Sequence, residues 1–303
     1  MSSQLQRELN KIKNKIKEVL RIEHPYIFDI DLDSNLYFNA VIKNVIDITS
    51  LLNDQKVRVL DIGCGKGHIA CLLSSLGHDV SAIDIEISRG EQLNIEKPRW
   101  QEDLWDKLNG EGYKVNFSFY DGVNIPFPAR TFDVVIAYAV IEHVEKNVLD
   151  KWLREVRKVL KLQGLFFVFD CPNYYSYSEY LARKIGLPHH DTLYKKDKIV
   201  SLLNRVHFNV EKAEYSDPLV RFLPSKLQAL INLLSPILVA IEKALVKTPF
   251  RYIAHNIKLV ATAQGKLDTT AHNKGVKKSF LINFGASHIL YLLVASNLFM
   301  YKR

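Results

Sequence analysis

The stretch that decides the fold runs from Val57 to Leu73 and reads VRVLDIGCGKGHIACLL. Its first six residues form a short apolar run that is typical of a buried strand. Gly63, Gly65 and Gly67 follow at every second position, and an apolar helical stretch comes after them. Glycine lets the backbone turn tightly and lets a ligand approach it without a Cβ in the way. The segment therefore predicts a strand, a ligand-binding turn and a helix at the carboxyl end of an open α/β sheet.

The chain beyond this stretch continues the alternation of strands and helices. A helix is predicted over Asp150 to Leu160, where the apolar residues share one side. Short apolar strands that alternate with helices predict an α/β fold, a Rossmann-like, seven-stranded, mostly parallel sheet with helices on both faces. The other predicted strands are 79–84, 115–120, 132–137 and 165–170, with 208–215 and 256–263 closing the sheet.

The organisation predicted from these patterns has three parts. Residues 1–50 form an N-terminal helical segment, and residues 51–265 form the main domain, with a helical insertion at 227–250. Residues 266–303 form a polar linker and a hydrophobic C-terminal helix. In the first segment, apolar residues at spacings of four and three predict one face of an amphipathic helix. That helix is interpreted as a lid or packing helix, or as a helix on a membrane surface. Its apolar residues are Leu5, Leu9, Ile12, Ile16 and Val19.

Composition sets broad limits on the partners. The chain has 303 residues, of which 48% are hydrophobic, so it can bury a sizeable core. A net charge of +8 fits an anionic partner, nucleic acid or an acidic membrane surface, and equally fits scattered solvated lysines. The three cysteines have neither metal-ligand spacing nor a pairing pattern, which favours a reduced, cytosol-facing compartment.

Two acids accompany the glycine turn. Asp61 stands two residues before the first glycine, and Asp84 ends the next predicted strand. A carboxylate at the position of Asp84 can hold the two hydroxyls of a ribose.

Several ordered motifs together resemble the class I S-adenosylmethionine-dependent methyltransferases, in particular the group similar to the ubiquinone and menaquinone biosynthesis enzymes. The resemblance covers roughly residues 55–215 and implies an S-adenosyl-L-methionine-dependent methyltransferase. The matching segments are VLDIGCGKGHIA at 59–70, AIDIE at 82–86, FYDGVNIPFPARTFDVVIAYAVIEHV at 119–144, LREVRKVLKLQGLFFV at 153–168 and CPN at 171–173.

The resemblance also implies roles for the cofactor-binding residues. Gly63, Gly65 and Gly67 would line the methionine end of the cofactor, with Asp61 supporting their loop. Asp84 would hold the ribose, and Asp121 would meet the adenine amino group with Gly122 beside the ring. Asp61 and Asp121 have an alternative interpretation as capping or turn residues.

The candidate catalytic residues are Glu142 and His143, which follow the fourth strand. His143 is interpreted either as a general base or as a structural hydrogen-bonding group. Metal-assisted quinone O-methyltransferases of this family carry an acid three residues before the corresponding Glu-His pair. Here that position is Ala139, and His189 and His190 are interpreted as surface histidines, so no metal site is predicted.

Nucleic acid is not an expected partner. Nucleic-acid N-methyltransferases of this fold usually carry an Asn/Asp-Pro-Pro-aromatic motif after the fourth strand. The corresponding place here reads AYAV, residues 137–140.

Two apolar segments predict a membrane link. Phe280 to Tyr301 is an uncharged run of 22 residues, about 33 Å of helix, which is enough to cross a hydrocarbon core of about 30 Å. It is interpreted as a single-pass C-terminal anchor, or as an interfacial or packing helix. Basic residues before it favour the cytoplasmic face for the domain. Leu227 to Leu245 is a second membrane-facing element or a cap over the acceptor pocket.

These predictions together describe a methyltransferase acting on a small or lipid-linked acceptor, at oxygen or carbon, on the cytoplasmic face of a membrane or otherwise in the cytoplasm. One alternative is a soluble methyltransferase that tailors polysaccharides or natural products. Another is a catalytically inactive, cofactor-binding partner tethered to a membrane.

Overall fold

The computed structural model describes residues 2–22, 34–52, 55–86, 99–186, 189–219 and 225–264, and it contains a seven-stranded sheet. The strands are β1 (Arg58–Ile62), β2 (Asp79–Asp84), β3 (Val115–Phe119), β4 (Phe132–Tyr138), β5 (Leu160–Pro172), β6 (Phe208–Ser216) and β7 (Asn256–Ala263). Their order in the sheet is β3-β2-β1-β4-β5-β7-β6. The predicted fold class is confirmed.

Eight α-helices and two 3₁₀ turns are described around this sheet. The helices are α1 (Ser2–Ile22), α2 (Asn35–Leu51), α3 (His68–Ser75), α4 (Trp100–Gly110), α5 (Leu149–Val159), α6 (Tyr177–Ile185), α7 (Lys196–Arg205) and α8 (Ser225–Leu245), and the 3₁₀ turns are Ile141–His143 and Pro249–Ile253.

The pairing of the strands explains where a site can form. β1 pairs in parallel with β2 on one side and with β4 on the other, and β5 pairs in parallel with β4. The carboxyl ends of β1, β2, β4 and β5 therefore meet along one edge of the sheet. β7 runs antiparallel to both β5 and β6 and completes the sheet.

Apolar side chains cover both faces of the sheet. One face packs against α1 to α4, and all five apolar residues predicted for the face of α1 are at most 2% exposed. This burial supports the packing interpretation of that helix. The other face packs against α5 and α7, where Trp152 and Phe166 are fully buried. Burying a side chain of this size contributes about 1.5–3 kcal/mol or more.

β5 is longer than its sequence predicts. The apolar run predicts a strand over 165–170, but pairing begins at Leu160, which lies opposite Phe132. The register then shifts, and Leu165 lies opposite Val134. Gln163 between these pairs has a φ of 61°, a left-handed conformation that accommodates the irregularity.

α8 lies between β6 and β7 and overlaps the predicted insertion at 227–250. Among the described residues, one helix, over Gln228–Leu245, is long and apolar enough to cross a membrane by length and composition. Only 11% of that window is buried. The predicted linker and C-terminal helix, 266–303, lie outside the described residues, and the division into three segments stays a prediction.

Candidate active site

The glycine turn lies at the carboxyl end of β1. The Gly63 N–H donates to Ile83 O at 2.7 Å, which ties the turn to the neighbouring strand β2. Gly63, Gly65 and Gly67 have φ values of 67°, 51° and 75°, a region that favours glycine. The sequence prediction of a tight turn between a strand and a helix is confirmed.

The three glycines are required for different reasons. A Cβ on Gly63 would lie 2.4 Å from Val140 Cγ2, and a Cβ on Gly67 would lie 2.7 Å from the Phe117 ring. These two positions are closed by the protein itself. A Cβ on Gly65 would meet one atom within 4 Å among the described residues, Asp84 Oδ2 at 4.0 Å. Gly65 is therefore the glycine whose open side can accept a ligand.

Asp84 ends β2 directly beside this open side. Its Oδ2 accepts a hydrogen bond from the Gly65 N–H at 2.6 Å, and its Oδ1 accepts one from the Ile85 N–H at 2.7 Å. The side chain is buried, and burial raises the pKa of the carboxyl, while the two backbone donors oppose that change. Each carboxylate oxygen has further lone pairs. These lone pairs can accept hydrogen bonds from the hydroxyl groups of a ligand in the turn.

Asp61 lies beneath the turn. It is 1% exposed, and the Ala70 N–H at the start of α3 donates a hydrogen bond to its carboxyl group. Burial, with a smaller contribution from the charge of Asp84, raises the pKa of Asp61 to about 8. The carboxyl thus joins β1 to α3, and its predicted support of the loop stays a prediction.

Asp121 and Gly122 follow β3 at the same edge. The Tyr120 N–H donates to Asp84 O at 2.9 Å, so this segment begins next to the ribose candidate. Asp121 is exposed, and its Oδ1 accepts the N–H groups of Val123 and Asn124 at 2.8 and 2.6 Å. A hydrogen bond from the Asn124 side chain, together with these two backbone bonds, lowers the pKa of Asp121. They define a turn role, and the adenine contact stays a prediction.

Glu142 and His143 lie in the 3₁₀ turn after β4. They line a pocket of about 700 Å³ together with residues 144–147 and 189–192. The His143 side chain is 70% exposed, and its Nε2 lies 3.9 Å from Glu142 Oε1. Burial of part of the ring and the nearby His190 lower the pKa of His143. Its imidazole is therefore neutral near pH 7 and able to accept a proton.

Glu142 has a contrasting environment. Its side chain is 1% exposed, and neither carboxylate oxygen has a hydrogen-bond partner among the described residues. Burial raises the pKa of Glu142 to about 7. A buried carboxyl without partners is costly and is more common at functional sites than elsewhere.

Sequence analysis missed a second cluster at this end of the sheet. Glu179 on α6, His190 in the following loop and His255 before β7 bring their ligand atoms within 4.8 Å of one another. His190 is not the surface residue that was expected: its Nδ1 lies 2.8 Å from Glu179 Oε1, and its side chain is 33% exposed. His189 is exposed, as expected. The three residues come from different elements of the chain, so no spacing motif in the sequence predicts the cluster.

An aromatic pair beside the turn was also not predicted. Tyr37 on α2 places its hydroxyl 3.1 Å from Nε2 of His68, the residue that follows Gly67. Burial lowers the pKa of His68 to about 3, so this imidazole stays neutral. A neutral ring beside the turn does not repel a positively charged ligand.

Comparison with protein families identifies the central part of the chain. Residues 60–168 match the family model described as a methyltransferase domain. The chain is 28% identical over 164 residues to O-methyltransferase rstn1 of Aspergillus nomiae, a match that covers 53% of this chain and 67% of that protein.

Two further relatives match shorter segments. Ubiquinone biosynthesis O-methyltransferase of Rickettsia felis is 40% identical over 99 residues, 32% of this chain and 36% of that protein. The 27-O-demethylrifamycin SV methyltransferase of Amycolatopsis mediterranei is 30% identical over 109 residues, 35% of this chain and 36% of that protein. The matches thus span about a third of the length of these two relatives.

Solved structures share the fold. A structure from Galdieria sulphuraria has a TM-score of 0.51 and 16% identity, over 75% of this chain and 86% of its own. The PH0226 protein from Pyrococcus horikoshii has a TM-score of 0.50 and 17% identity, over 80% of this chain and 99% of its own. At this identity the likeness concerns the arrangement of strands and helices alone.

Proposed function

We propose that the chain is a class I S-adenosylmethionine-dependent methyltransferase that methylates an oxygen or carbon of a small or lipid-linked acceptor at a membrane surface. The match of residues 60–168 to a methyltransferase domain supports the reaction. The observation that carries the proposal is the contact between the buried carboxylate of Asp84 and the Gly65 N–H at 2.6 Å. It holds the carboxylate that would bind the ribose against Gly65, the glycine of the turn with an open side. When bound, S-adenosylmethionine supplies a methyl group already activated by its sulfonium.

The residues around the turn would hold and orient the cofactor. Gly63 and Gly67 keep the turn in shape, since neither position has room for a Cβ. Asp84 would accept hydrogen bonds from the ribose hydroxyls, and Asp121 would accept one from the adenine amino group. Because the donor is activated, the main task of the protein is to align donor and acceptor.

His143 would take the proton from a hydroxyl acceptor. It is neutral near pH 7, it faces the pocket of about 700 Å³, and Glu142 lies directly behind it. Glu142 would stabilise the protonated ring once the proton has moved. The 40% identity to a ubiquinone biosynthesis O-methyltransferase over 99 residues supports oxygen as the acceptor atom and the quinone-related group as the subfamily.

The His143→Ala variant tests this assignment. Loss of a general base lowers turnover by about 10²–10⁴-fold, and cofactor affinity should stay unchanged. Turnover is measured with methyl-labelled cofactor and a total membrane extract, and affinity by calorimetry. His207→Asn is the matched control, since His207 lies in the turn before β6, at the edge of the sheet away from the site, with a φ of 65° that asparagine tolerates. Unchanged turnover in the His143 variant would exclude His143 as the general base.

The exposed face of α8 supports the membrane surface. Its outward apolar residues recur at helical spacing, at exposures between 37% and 77%: Leu230, Leu233, Leu234, Ile237 and Ile241. On its other side α8 meets α2, where the Asn35 N–H donates to Asn232 Oδ1 at 2.9 Å. An apolar stripe of this kind on a helix fits an interfacial position in a lipid headgroup region. Phe280 to Tyr301, as an anchor, stays a prediction.

Vesicle binding tests the membrane surface. A chain ending at Gln264 should bind S-adenosylmethionine and sediment with anionic vesicles. Leu233→Glu together with Ile237→Glu should reduce vesicle binding at least about 10-fold, because each change removes an apolar group worth about 1.5–3 kcal/mol when buried. Leu162→Glu is the control, since Leu162 is also about half exposed but lies in the early part of β5, away from α8. Equal vesicle binding by all three chains would refute a role for α8.

The soluble alternative has support of its own. The likeness to the rifamycin methyltransferase, 30% over 109 residues, supports a natural-product acceptor. Labelled product from a whole-cell extract distinguishes the cases: extraction into organic solvent with the lipids favours a lipid-linked acceptor, and retention in the aqueous phase favours a soluble one. Cofactor binding without any labelled product would favour the inactive, tethered partner.

A further inference from the structure

The cluster of Glu179, His190 and His255 is built from three separate elements at the carboxyl edge of the sheet. Ser176 caps α6, and its Oγ accepts the Glu179 N–H at 3.2 Å, which fixes the first turn of the helix. The His190 N–H donates to Glu179 Oε2 at 2.9 Å, so the loop is tied to the same carboxylate. Glu179 is 5% exposed. Its position is therefore set before any ligand arrives.

The spacing of the donor atoms matches the spacing around a small metal ion. Donors about 2.0–2.1 Å from a tetrahedral zinc ion lie about 3.3 Å from one another. Glu179 Oε1 lies 2.8 Å from His190 Nδ1 and 3.7 Å from His255 Nδ1. These two distances bracket the required one, and the ligand atoms of His190 and His255 lie within 4.8 Å of each other. The Ser178 hydroxyl, 2.9 Å from His255 Nδ1, would give up that contact to the ion.

Glu142 provides a second, independent observation. Its carboxylate is almost completely buried, has no hydrogen-bond partner among the described residues, and lines the same pocket as His190. A buried carboxylate normally has a paired charge or a metal ion near it. Glu142 is thus a buried acceptor without a hydrogen-bond partner among the described residues, in a pocket that His190 also lines.

The surrounding charges favour a cation. Burial raises the pKa of Glu142 to about 7, and Asp170, also buried, makes the local field more negative. Lys258, which is partly buried, lies near Asp170 and pairs with Asp47 at 3.5 Å, and burial lowers its pKa. Two further acids, Glu142 and Asp170, therefore lie near the cluster.

We propose that Glu179, His190 and His255 form a binding site for a divalent transition-metal ion, for which zinc fits the donor set best. Two imidazoles and one carboxylate are a donor set that proteins use for zinc, with a fourth position left open. Of the three ligands, His190 lines the pocket that Glu142 and His143 also line. The histidine side chains are 33% and 25% exposed, so the ion has a path of entry.

Metal titration of the full chain tests the site. The protein is treated with a chelator, dialysed and titrated with Co²⁺, whose visible absorption reports tetrahedral nitrogen and oxygen ligands, and then with Zn²⁺ in a thermal melt. One equivalent should bind, with the cobalt absorption displaced by zinc and the melting temperature raised. Glu179→Gln, His190→Ala and His255→Ala should each weaken binding by more than about 100-fold, the upper end of what loss of an outer-shell partner costs.

His189→Ala is the matched control, since it removes a histidine adjacent to the site and outside the cluster. It should bind metal as the unaltered chain does. Each variant is also tested for S-adenosylmethionine affinity, because that site lies on other residues and reports whether the domain is folded. If one variant fails this check, the remaining two decide.

Two results would overturn the proposal. One is a full chain that shows no cobalt absorption and no zinc-dependent melting shift. The other is binding that survives in the folded cluster variants, which would locate the ion elsewhere. Neither readout uses a methyl acceptor, so failure of the metal site is distinguishable from failure of the proposed methyl transfer.

Discussion

Replacement of Asp84 gives the sharpest test of the cofactor site. In Asp84→Ala, the cofactor would lose two hydrogen bonds between the carboxylate and the ribose hydroxyls. Each contributes about 0.5–1.5 kcal/mol net, so the loss is about 1–3 kcal/mol. Since about 1.4 kcal/mol corresponds to a tenfold change, affinity should fall on the order of 10- to 100-fold.

The structure adds a second consequence of the same change. The Gly65 and Ile85 N–H groups both donate to Asp84, so the variant leaves two donors of the turn without their partner. The melting temperature should therefore fall as well, and affinity must be measured by calorimetry well below it. Asp79→Ala is the control, because Asp79 begins the same strand at its opposite end and pairs with exposed Arg58.

The result that would refute this reasoning is a cofactor affinity within twofold of the unaltered chain, with the fold intact by circular dichroism. The ribose would then lie elsewhere, and Asp84 would serve the turn alone. A fall in melting temperature without a fall in affinity would lead to the same conclusion.

Three further predictions concern the turn and the core. Gly65→Val should abolish measurable cofactor binding, because its side chain would enter the open side of the turn at a φ of 51°, whereas Gly110→Ala, with no atom within 4 Å of the added Cβ, should bind normally by calorimetry. The folded chain holds a proton on Asp61, with a pKa of about 8, that the unfolded chain releases near pH 4, so unfolding free energy should fall as pH rises from about 4 to about 8. Asp61→Asn should remove this contribution, and equal pH slopes of the urea midpoint in both chains would contradict it. Trp152→Ala should lower the free energy of unfolding by about 3–5 kcal/mol in the same assay, and a loss below 1 kcal/mol would mean that the site collapses around the cavity.

Local sequence patterns were sufficient to predict most strands of the sheet. β2 covers the residues predicted for it, because the run over 79–84 ends at a charged residue, Asp84, which is the last residue of the strand. The early start of β5 could not be predicted in the same way. Leu160 continues the apolar spacing of the preceding helix, and only its pairing with Phe132 makes it a strand residue.

The candidate site also contains one part that the sequence predicts and one part that it does not. Gly63, Gly65, Gly67 and Asp84 lie near one another in sequence or at the ends of adjacent strands, so their meeting follows from the order of the parallel strands. The cluster of Glu179, His190 and His255 depends on the bonds of His190 to Glu179 on α6 and on where β7 begins, and the sequence carries no periodicity for either. α8 was predicted as an apolar helix, but the face it leaves to solvent is set by α2, a distant element.

The position of α8 between β6 and β7 also bears on how such proteins diverge. The two strands form an antiparallel pair whose register ends at Ser216 opposite Asn256. The intervening chain leaves and returns at adjacent points, and the entropy cost of a longer excursion grows slowly with length. Segments of different size and polarity can therefore be exchanged at this hairpin while the glycine turn and Asp84 keep their geometry. Natural selection can alter what approaches the reaction centre through this one insertion point, independently of the machinery that holds the donor.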